Sequence, residues 1–317
     1  MDLAQRGAET ALVECMKMQR GEQVLIVTDP RRRELAEIFK ERAAALGGEA
    51  LLLEMLEREH NGSEPPAAVT AAMMAADVVL AVTSKSLSHT KARHAAVAEG
   101  ARVASLPGLT RAMMEGPLQA DYTNVAKRSL WAAEILTKGT KAHLTSPQGT
   151  DLVFDLQGRL GQPDTGFYHQ PGDFGNLPAG EAYIAPVEGK TQGRLVIDGA
   201  MSGVGVLDDP LVMEVVDGVV VKMTGSAASA LEKLLSGLGQ EAYSIAELGI
   251  GTNDQAQLTG FVLEDEKVMG TVHVAIGNNS FFGGKITVAS HLDGIIKQPT
   301  LTVDGQVILR EGLLLYE

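Results

Sequence analysis

Acidic and imidazole side chains recur in short, glycine-flanked segments in the second half of the chain. Glu181 lies in GEAY, Glu247 in AELGIGTN and His273 in TVHVAIG, and the segment SHLDG contains His291 and Asp293. Imidazole nitrogens and carboxylate oxygens are the ligands with which proteins bind Zn²⁺, Mn²⁺, Co²⁺ or Fe²⁺. If the segments converge in the fold, these side chains predict a metal site and therefore a metalloenzyme.

The local context of these residues favours a metal site. One residue separates His291 from Asp293, and residues i and i+2 of an extended strand face the same way. Glu247 lies within an apolar run, where a carboxylate is costly to bury unless it is paired or coordinated. His273 is also surrounded by apolar residues, and such a histidine is either a ligand or a core residue with a satisfied ring.

Two metal designs are compatible with this ligand set. Two ions that share a bridging carboxylate would activate a water molecule and polarise a carbonyl together, which is the chemistry of hydrolysis. One ion held by His273, His291 and Asp293 would match the two-His-one-carboxylate face of non-haem Fe²⁺ oxygenases. For hydrolysis, Glu266 is the candidate general base that takes a proton from metal-bound water, and a solvated acidic turn is the alternative interpretation. The residues alone leave both designs open.

Composition limits the size, partners and location of the protein. The 317 residues are 45% hydrophobic and 21% charged, which predicts about two domains with a sizeable core. A net charge of −13 argues against a nucleic-acid partner, because such proteins present basic faces. The one cysteine, Cys15, excludes an internal disulfide. With no signal segment and no apolar run of about 18 residues, we expect a cytoplasmic protein without a membrane partner.

Strands and helices alternate in the first half of the chain. Apolar runs such as VLIVTD and DVVLAVTS are separated by segments of helical character. Continuous apolar strands spaced by helices predict a parallel sheet that is covered on both faces. No glycine-rich loop follows the first strand, so a dinucleotide site is not expected. We therefore predict an open α/β domain over residues 1–140.

Short apolar runs joined by tight turns replace the helices after residue 140. Asp217-Gly218 and Asp304-Gly305 each separate two apolar runs, which is a strong signal for a hairpin. Only residues 226–238 have a clear helical character in this half. We predict a mostly antiparallel, β-rich α+β domain over residues 141–317, and we expect it to hold the metal and the catalytic residue.

The segments, taken in order, resemble the aminopeptidase T / aminopeptidase S family of metallo-aminopeptidases. NLPAGEAYIAP and AELGIG resemble the segments with that family's first two metal carboxylates, here Glu181 and Glu247. TVHVAIG and HLDGII resemble the segments with its remaining ligands, here His273, His291 and Asp293. The resemblance extends over most of the chain.

This resemblance implies aminopeptidase-like hydrolysis of an N-terminal residue with one or two Zn²⁺, Co²⁺ or Mn²⁺ ions. The family's catalytic glutamate corresponds to Glu266, and its members imply a homo-oligomer, a dimer or larger, that acts on a peptide or small molecule. A related branch is 2,5-dihydroxypyridine 5,6-dioxygenase, whose single Fe²⁺ has ligands that match His273, His291 and Asp293. Ring cleavage of a hydroxylated pyridine or aromatic is therefore the alternative function, and a degenerate binding module is the third.

Overall fold

The computed structural model of the chain describes residues 1–316, and these residues form two compact units. The first unit contains Met1–Thr123 and Gly166–Ala179, and the second contains Asn124–Thr165 and the chain from Gly180 onward. The division after residue 140 that the sequence suggests stays a prediction. No helix among the described residues is long and apolar enough to cross a membrane.

Helices are concentrated in the first half of the chain and strands in the second. The α-helices are α1 (Leu3–Thr10), α2 (Arg33–Ala45), α3 (Ala67–Ala75), α4 (Lys91–Ala98), α5 (Arg111–Glu115), α6 (Tyr122–Lys138), α7 (Ala228–Leu235) and α8 (Val262–Asp265). The strands are β1 (Gln23–Thr28), β2 (Glu49–Glu54), β3 (Val78–Val82), β4 (Arg102–Ser105), β5 (Lys141–Thr145), β6 (Asp151–Asp155), β7 (Gln162–Asp164), β8 (Phe174–Asn176), β9 (Glu181–Ile184), β10 (Gln192–Ile197), β11 (Ala200–Met201), β12 (Gly205–Val206), β13 (Leu211–Val216), β14 (Val219–Thr224), β15 (Ile245–Gly251), β16 (Val272–Gly277), β17 (His291–Ile296), β18 (Thr300–Val303), β19 (Gln306–Arg310) and β20 (Leu313–Leu314). A π-helical turn covers Ala11–Cys15, and short 3-10 turns cover Pro117–Gln119, Gln240–Tyr243 and Ser280–Phe282.

The first unit is built on a parallel sheet with the strand order β2-β1-β3-β4-β8. Every residue of β3 is buried, and so is every residue of β1 except the first, as expected for strands that are covered on both faces. The predicted α/β fold with a parallel sheet is therefore confirmed. Strand β8, with the sequence FGN, is not among the predicted strands, because three residues around a glycine carry no apolar pattern.

The second unit contains two antiparallel sheets. One has the order β14-β13-β10-β6-β5-β18-β19-β20 and the other β12-β11-β17-β16-β15-β9-β7. Asp217 and Gly218 both have positive φ angles (49° and 73°), as do Asp304 and Gly305 (47° and 86°), which is the conformation of tight hairpin turns. These turns join β13 to β14 and β18 to β19, so both predicted hairpins and the predicted β-rich fold are confirmed.

Aliphatic side chains from both sheets and from α7 form the core of the second unit. Leu152 and Leu195 come from the eight-stranded sheet, Leu248 and Val274 from the seven-stranded sheet, and Leu231 from α7. Successive side chains of a strand point to opposite faces of the sheet. The residues between these core positions therefore lie on the other face of the seven-stranded sheet.

Candidate metal centre

The predicted ligands lie together on the second face of the seven-stranded sheet. Glu181 is on β9, Glu247 on β15, His273 on β16, and His291 and Asp293 are both on β17, and these four strands are neighbours in the sheet. The residues that alternate with them belong to the apolar core. The structure therefore brings together every side chain that the sequence predicts as a ligand.

A β-bulge in β15 determines the face on which Glu247 lies. The register of β15 against β16 shifts between Ile245 and Glu247. An extra residue at this point lets Ile245 join the core together with Leu248, while Glu247 is directed to the opposite face. Without the bulge, the strict alternation of the strand would not allow both placements.

Gly249 makes room for the imidazole ring of His273. The two residues are cross-strand partners, and a Cβ atom at Gly249 would lie 1.9 Å from Nε2 of His273. The ring therefore extends over β15, where Nε2 lies 3.2 Å from Oε2 of Glu181 and 3.2 Å from Oε1 of Glu247. A glycine at this position is required for the ring to reach both carboxylates.

The donor atoms form two groups that share Glu247. The inner group consists of Glu181, Glu247 and His273, and the outer group of Glu247, His291 and Asp293; in each, the donor atoms all lie within 4.8 Å of one another. In the outer group, Nε2 of His291 lies 3.2 Å from Oε2 of Glu247 and 3.3 Å from Oδ1 of Asp293. Each histidine thus belongs to a different group and faces a different oxygen of Glu247.

The outer group has the spacing and the burial of metal ligands. Atoms that bind one ion at about 2.1 Å stand roughly 3 Å apart on adjacent coordination positions, close to the distances in this group. Oδ1 of Asp293 is buried, and no hydrogen-bond donor in residues 1–316 satisfies it; the same holds for Oε2 of Glu181 in the inner group. A buried acceptor of this kind is costly unless a cation completes its contacts. The outer group is therefore suited to a divalent ion.

The two histidines differ in the surroundings of their second ring nitrogen. Nδ1 of His291 lies 2.7 Å from the backbone oxygen of Asn278, which can only accept, so Nδ1 carries the proton. The lone pair of Nε2 is then directed at the outer group, which is the arrangement of a metal-binding histidine. Nδ1 of His273 is buried and has no hydrogen-bond partner within the described part of the chain. His273 is therefore arranged to donate from Nε2 to Oε1 of Glu247.

Burial and the neighbouring carboxylates act in opposite directions on both imidazoles. Burial disfavours the charged ring, but Glu181 and Glu247 raise the pKa of His273 well above its ordinary value. Asp293 and Glu247 overcome burial in the same way at His291. Burial tends to raise the pKa of Asp293, but the charge of His291 lowers it to about 2. The cluster therefore attracts positive charge, which either protons or a metal ion can supply.

Lys267 completes the cluster, although no pattern in the sequence predicts it there. Its side chain is fully buried, and Nζ donates to Oε1 of Glu181 at 2.6 Å and to Glu266. Oδ2 of Asp164 lies 3.7 Å from the same nitrogen. The only signal in the sequence is that Lys267 directly follows the acidic run that contains Glu266.

The candidate base Glu266 lies at the cluster and is held by Lys267. Burial raises the pKa of Glu266 to about 8; the charge of Lys267 opposes this rise, and Glu181 and Asp293 add to it. A carboxyl group with such a pKa can exchange a proton near neutral pH. The assignment of Glu266 as the catalytic residue stays a prediction.

The outer group opens toward an aromatic segment. The side chain of His291 is 31% exposed, whereas the other ligands are buried. Phe282, in the turn Ser280–Phe282, meets the ring of His291 edge-on at 5.9 Å and the ring of Tyr183 at 5.3 Å. Burial and nearby carboxylates raise the pKa of Tyr183, so it remains a neutral phenol. A flat substrate ring that approaches His291 would therefore contact the aromatic side chains of Phe282 and Tyr183.

The sequence matches the family model of NicX, 2,5-dihydroxypyridine 5,6-dioxygenase, over residues 7–316. The chain belongs to the NicX family. The structure of 2,5-dihydroxypyridine dioxygenase from Pseudomonas putida KT2440 is similar, with a TM-score of 0.84 and 18% identity over 99% of this chain and 97% of that chain. AmpT from Thermus thermophilus is also similar, with a TM-score of 0.73 and 16% identity over 99% of both chains. The curated protein sequences contain no match.

Membership of the NicX family corrects the leading functional expectation. Aminopeptidase activity, and with it the classification as a metallopeptidase, protease or hydrolase, is wrong, because the NicX model covers nearly the whole chain and a dioxygenase structure has the higher TM-score of the two. The resemblance to the aminopeptidase T family reflects a shared fold. The ligand segments did not separate the two branches, since the resemblance implies histidine and carboxylate ligands for both. The dioxygenase branch named as the alternative is the one that the family supports.

Proposed function

We propose that this NicX-family protein is a non-haem Fe²⁺ dioxygenase that opens the ring of a hydroxylated pyridine or a related hydroxylated aromatic. The observation that carries the proposal is the NicX family match over residues 7–316. The buried cluster of histidines and carboxylates provides the divalent-metal site that such chemistry needs. Iron is the ion we propose, because the reaction with O₂ requires a redox-active metal.

We assign the iron ligands to the outer group, Glu247, His291 and Asp293. Nε2 of His291 presents its lone pair there, and Oδ1 of Asp293 lacks a hydrogen-bond donor among residues 1–316. The partly exposed side of His291 leaves room for substrate beside the ion. Imidazole and carboxylate are the ligand types of non-haem Fe²⁺ oxygenases, although their usual set has two histidines and one carboxylate. His273, a ligand in the sequence-based set, would instead donate from Nε2 to Glu247 and orient it.

The protein residues around this site would bind and orient the substrate. When bound, the iron would supply the centre at which O₂ and the hydroxylated ring react. Phe282 and Tyr183 provide an aromatic edge for a flat ring, and Glu266 is our candidate for holding the proton of a ring hydroxyl. One bond between ring carbons breaks and both atoms of O₂ enter the product, so the reaction needs no external reductant.

Oxygen consumption by the iron-loaded protein tests the proposed function. The protein is purified without oxygen, loaded with Fe²⁺ and mixed with 2,5-dihydroxypyridine, other hydroxylated pyridines and hydroxylated aromatics. We expect O₂ uptake to equal the loss of the ring absorbance for at least one compound. Mass spectrometry after reaction with ¹⁸O₂ should find both labelled atoms in the ring-opened product.

Three controls accompany this assay. Zn²⁺-loaded protein and the His291→Ala variant should consume no oxygen. His143→Ala is the matched control, because His143 lies 2.8 Å from Asp151 in an exposed histidine–carboxylate pair on β5 and β6, and it should keep full activity. Iron-loaded protein that consumes no oxygen with any of these compounds would contradict the proposed function.

A further inference from the structure

The connection between β16 and β17, residues 278–290, borders the outer group, and we call it the β16–β17 loop. Phe282 in this loop meets the rings of His291 and Tyr183 edge-on, and the backbone oxygen of Asn278 lies 2.7 Å from Nδ1 of His291. Hairpin loops commonly have about 2–5 residues, so a loop of this length needs further contacts to keep one conformation. The position of Phe282 therefore depends on what holds the loop.

Asn279 holds the loop together from the inside. Its side chain is fully buried, and Oδ1 accepts a hydrogen bond from the amide nitrogen of Ile286 at 2.8 Å. The amide nitrogen of Gly284 donates to the backbone oxygen of Asn279 at 2.9 Å, and a Cβ atom at Gly284 would lie 1.9 Å from Cγ of Asn279. The loop thus closes around this side-chain amide, and Nδ2 forms a hydrogen bond outside the loop.

Glu188 receives that hydrogen bond and a second one from the loop. Oε1 of Glu188 accepts from Nδ2 of Asn279 at 3.1 Å and from the amide nitrogen of Lys285 at 2.8 Å. Burial tends to raise the pKa of Glu188, but the backbone N–H groups around the carboxylate lower it below its ordinary value. The side chain is therefore charged at neutral pH, and hydrogen bonds to a charged acceptor are roughly twice as strong as neutral ones.

Arg159 connects Glu188 to the loop at a third point. One terminal nitrogen of Arg159 donates to Oε2 of Glu188, and the other donates to the backbone oxygen of Gly283. Gly283 directly follows Phe282. The pair of Arg159 and Glu188 therefore contacts the loop both before and after Phe282.

The strands fix the position of this pair. Arg159 lies between β6 and β7, and Glu188 lies between β9 and β10. The amide nitrogen of Val187 donates to the backbone oxygen of Asp155, the last residue of β6, at 2.8 Å, which joins the two turns. An exposed ion pair contributes little, but the side chains of Arg159 and Glu188 are only 11% and 22% exposed. The pair can therefore hold the loop in one conformation.

We propose that Glu188 and Arg159 are positioning residues for substrate binding, because they hold Phe282 at the opening beside His291. The inference rests on the proposed function, since it takes this opening as the place where the aromatic ring binds. Phe282 presents its edge to a ring there only while the loop keeps its conformation. Loss of the pair should therefore lower the affinity for an aromatic compound and leave the affinity for the metal ion unchanged.

Binding of 2,5-dihydroxypyridine, and of the other compounds of the oxygen assay, to Zn²⁺-loaded protein without oxygen tests this inference independently of turnover. In isothermal titration calorimetry, Glu188→Ala should raise the Kd about twofold to tenfold, which is the contribution of an edge-on ring contact. Hydrogen exchange in residues 278–290 should become faster, and the Zn²⁺ affinity should not change. Glu214→Ala is the matched control, because it removes a glutamate from an exposed pair with Lys222, and it should change none of these values.

A double variant shows whether the pair acts through Phe282. In a Phe282→Ala background, Glu188→Ala should raise the Kd no further, because residues that act through one contact have non-additive effects. In oxygen uptake by the iron-loaded protein, Glu188→Ala should raise KM and leave kcat unchanged, as expected when only binding is lost. A loss of folded enzyme would instead lower kcat.

An unchanged Kd in Glu188→Ala, or additive effects in the double variant, would overturn the inference. If Glu188→Ala does not fold, Glu188→Gln decides the question. Glutamine keeps one oxygen for Asn279 and Lys285 but loses the oxygen that faces Arg159, so the Kd should still rise, and an unchanged Kd would overturn the inference. A wild type that binds a compound but consumes no oxygen would refute the proposed function alone, and a wild type that binds none of them would overturn both.

Discussion

The two histidines of the cluster differ in how well they are suited to bind a metal ion, although both contact Glu247. The difference lies in the far nitrogen of each ring. A backbone oxygen fixes the proton of His291 on Nδ1, whereas Nδ1 of His273 has no hydrogen-bond partner in residues 1–316. The geometry therefore favours His291 as a ligand and His273 as a hydrogen-bond donor.

Replacing His291 with Ala should abolish binding of the ion, whereas replacing His273 with Gln should only lower the affinity for it. Glutamine can still donate a hydrogen bond to Glu247, and the loss of an outer partner typically costs about 10–100-fold in metal affinity. We expect a loss near tenfold for His273→Gln and of more than about 100-fold for His291→Ala. Competition with a chelating dye measures both affinities. Equal losses in the two variants would mean that both histidines are ligands.

Gly249→Ala should disturb the cluster without removing any polar group. The added methyl would lie 1.9 Å from Nε2 of His273, and this ring is fully buried and has little room to move. We expect the free energy of unfolding to fall by about 1–3 kcal/mol, the usual cost of overpacking. Thermal unfolding and Mn²⁺ titration measure the change in stability and in affinity. Unchanged values for both would show that Gly249 does not position His273.

At the scale of elements, the alternation along strands was the reliable signal in the sequence. It predicts that His291 and Asp293 share one face of a strand, and β17 confirms this placement. The bulge in β15 was not predictable, because the run from Ile245 to Leu248 gives no sign of an extra residue. A bulge is visible only in the pairing with the neighbouring strand.

Contacts between distant segments explain what the sequence did not reveal. Lys267 follows acidic residues and has the pattern of a solvated turn, yet Glu181 and Asp164 from distant strands surround it. Strand β8 likewise exists because it pairs with β4 from far along the chain. In both cases the decisive partner is remote in sequence, so no local pattern identifies it.

The short turn Ser280–Phe282 should contribute to substrate binding. Phe282→Ala should raise the KM for an aromatic substrate about twofold to tenfold, because an edge-on ring contact contributes about 0.5–1.5 kcal/mol. Metal content should not change, because Phe282 contacts the ring of His291 edge-on and supplies no ligand atom. Phe281→Ala, at an exposed neighbouring position, is the control and should leave KM unchanged. Steady-state oxygen uptake measures KM, and equal effects of both variants would exclude a specific role of Phe282.

At the scale of the whole molecule, the fold alone does not determine the reaction. The chain is structurally similar both to a dioxygenase and to AmpT, so the same arrangement of sheets occurs in proteins with different names, and one fold can host different reactions. The reaction must therefore be argued from the side chains of the cluster. The homo-oligomeric state that the family resemblance implies stays a prediction, and light scattering during size-exclusion chromatography would measure it.

Metal binding should stabilise the second unit, because the ion compensates carboxylates that the fold buries. Mn²⁺ at about 100 times its Kd contributes about 2.7 kcal/mol, and each kcal/mol raises the Tm of a unit of this size by about 2–4 °C. We therefore expect a rise of about 5–10 °C in calorimetry, with hydrogen exchange slowed most in β9, β15, β16 and β17.

His291→Ala separates specific binding from general attraction to an acidic protein with a net charge of −13. That variant keeps the remaining surface charge but loses a ligand, so its Tm should not respond to Mn²⁺. An equal rise in the Tm of the variant would mean that the ions bind at the acidic surface. Exposed carboxylates can attract cations there without the buried cluster. A rise in Tm that is confined to the wild type requires that the donor atoms of the outer group bind the ion together. Binding to scattered surface charges would not depend on one histidine.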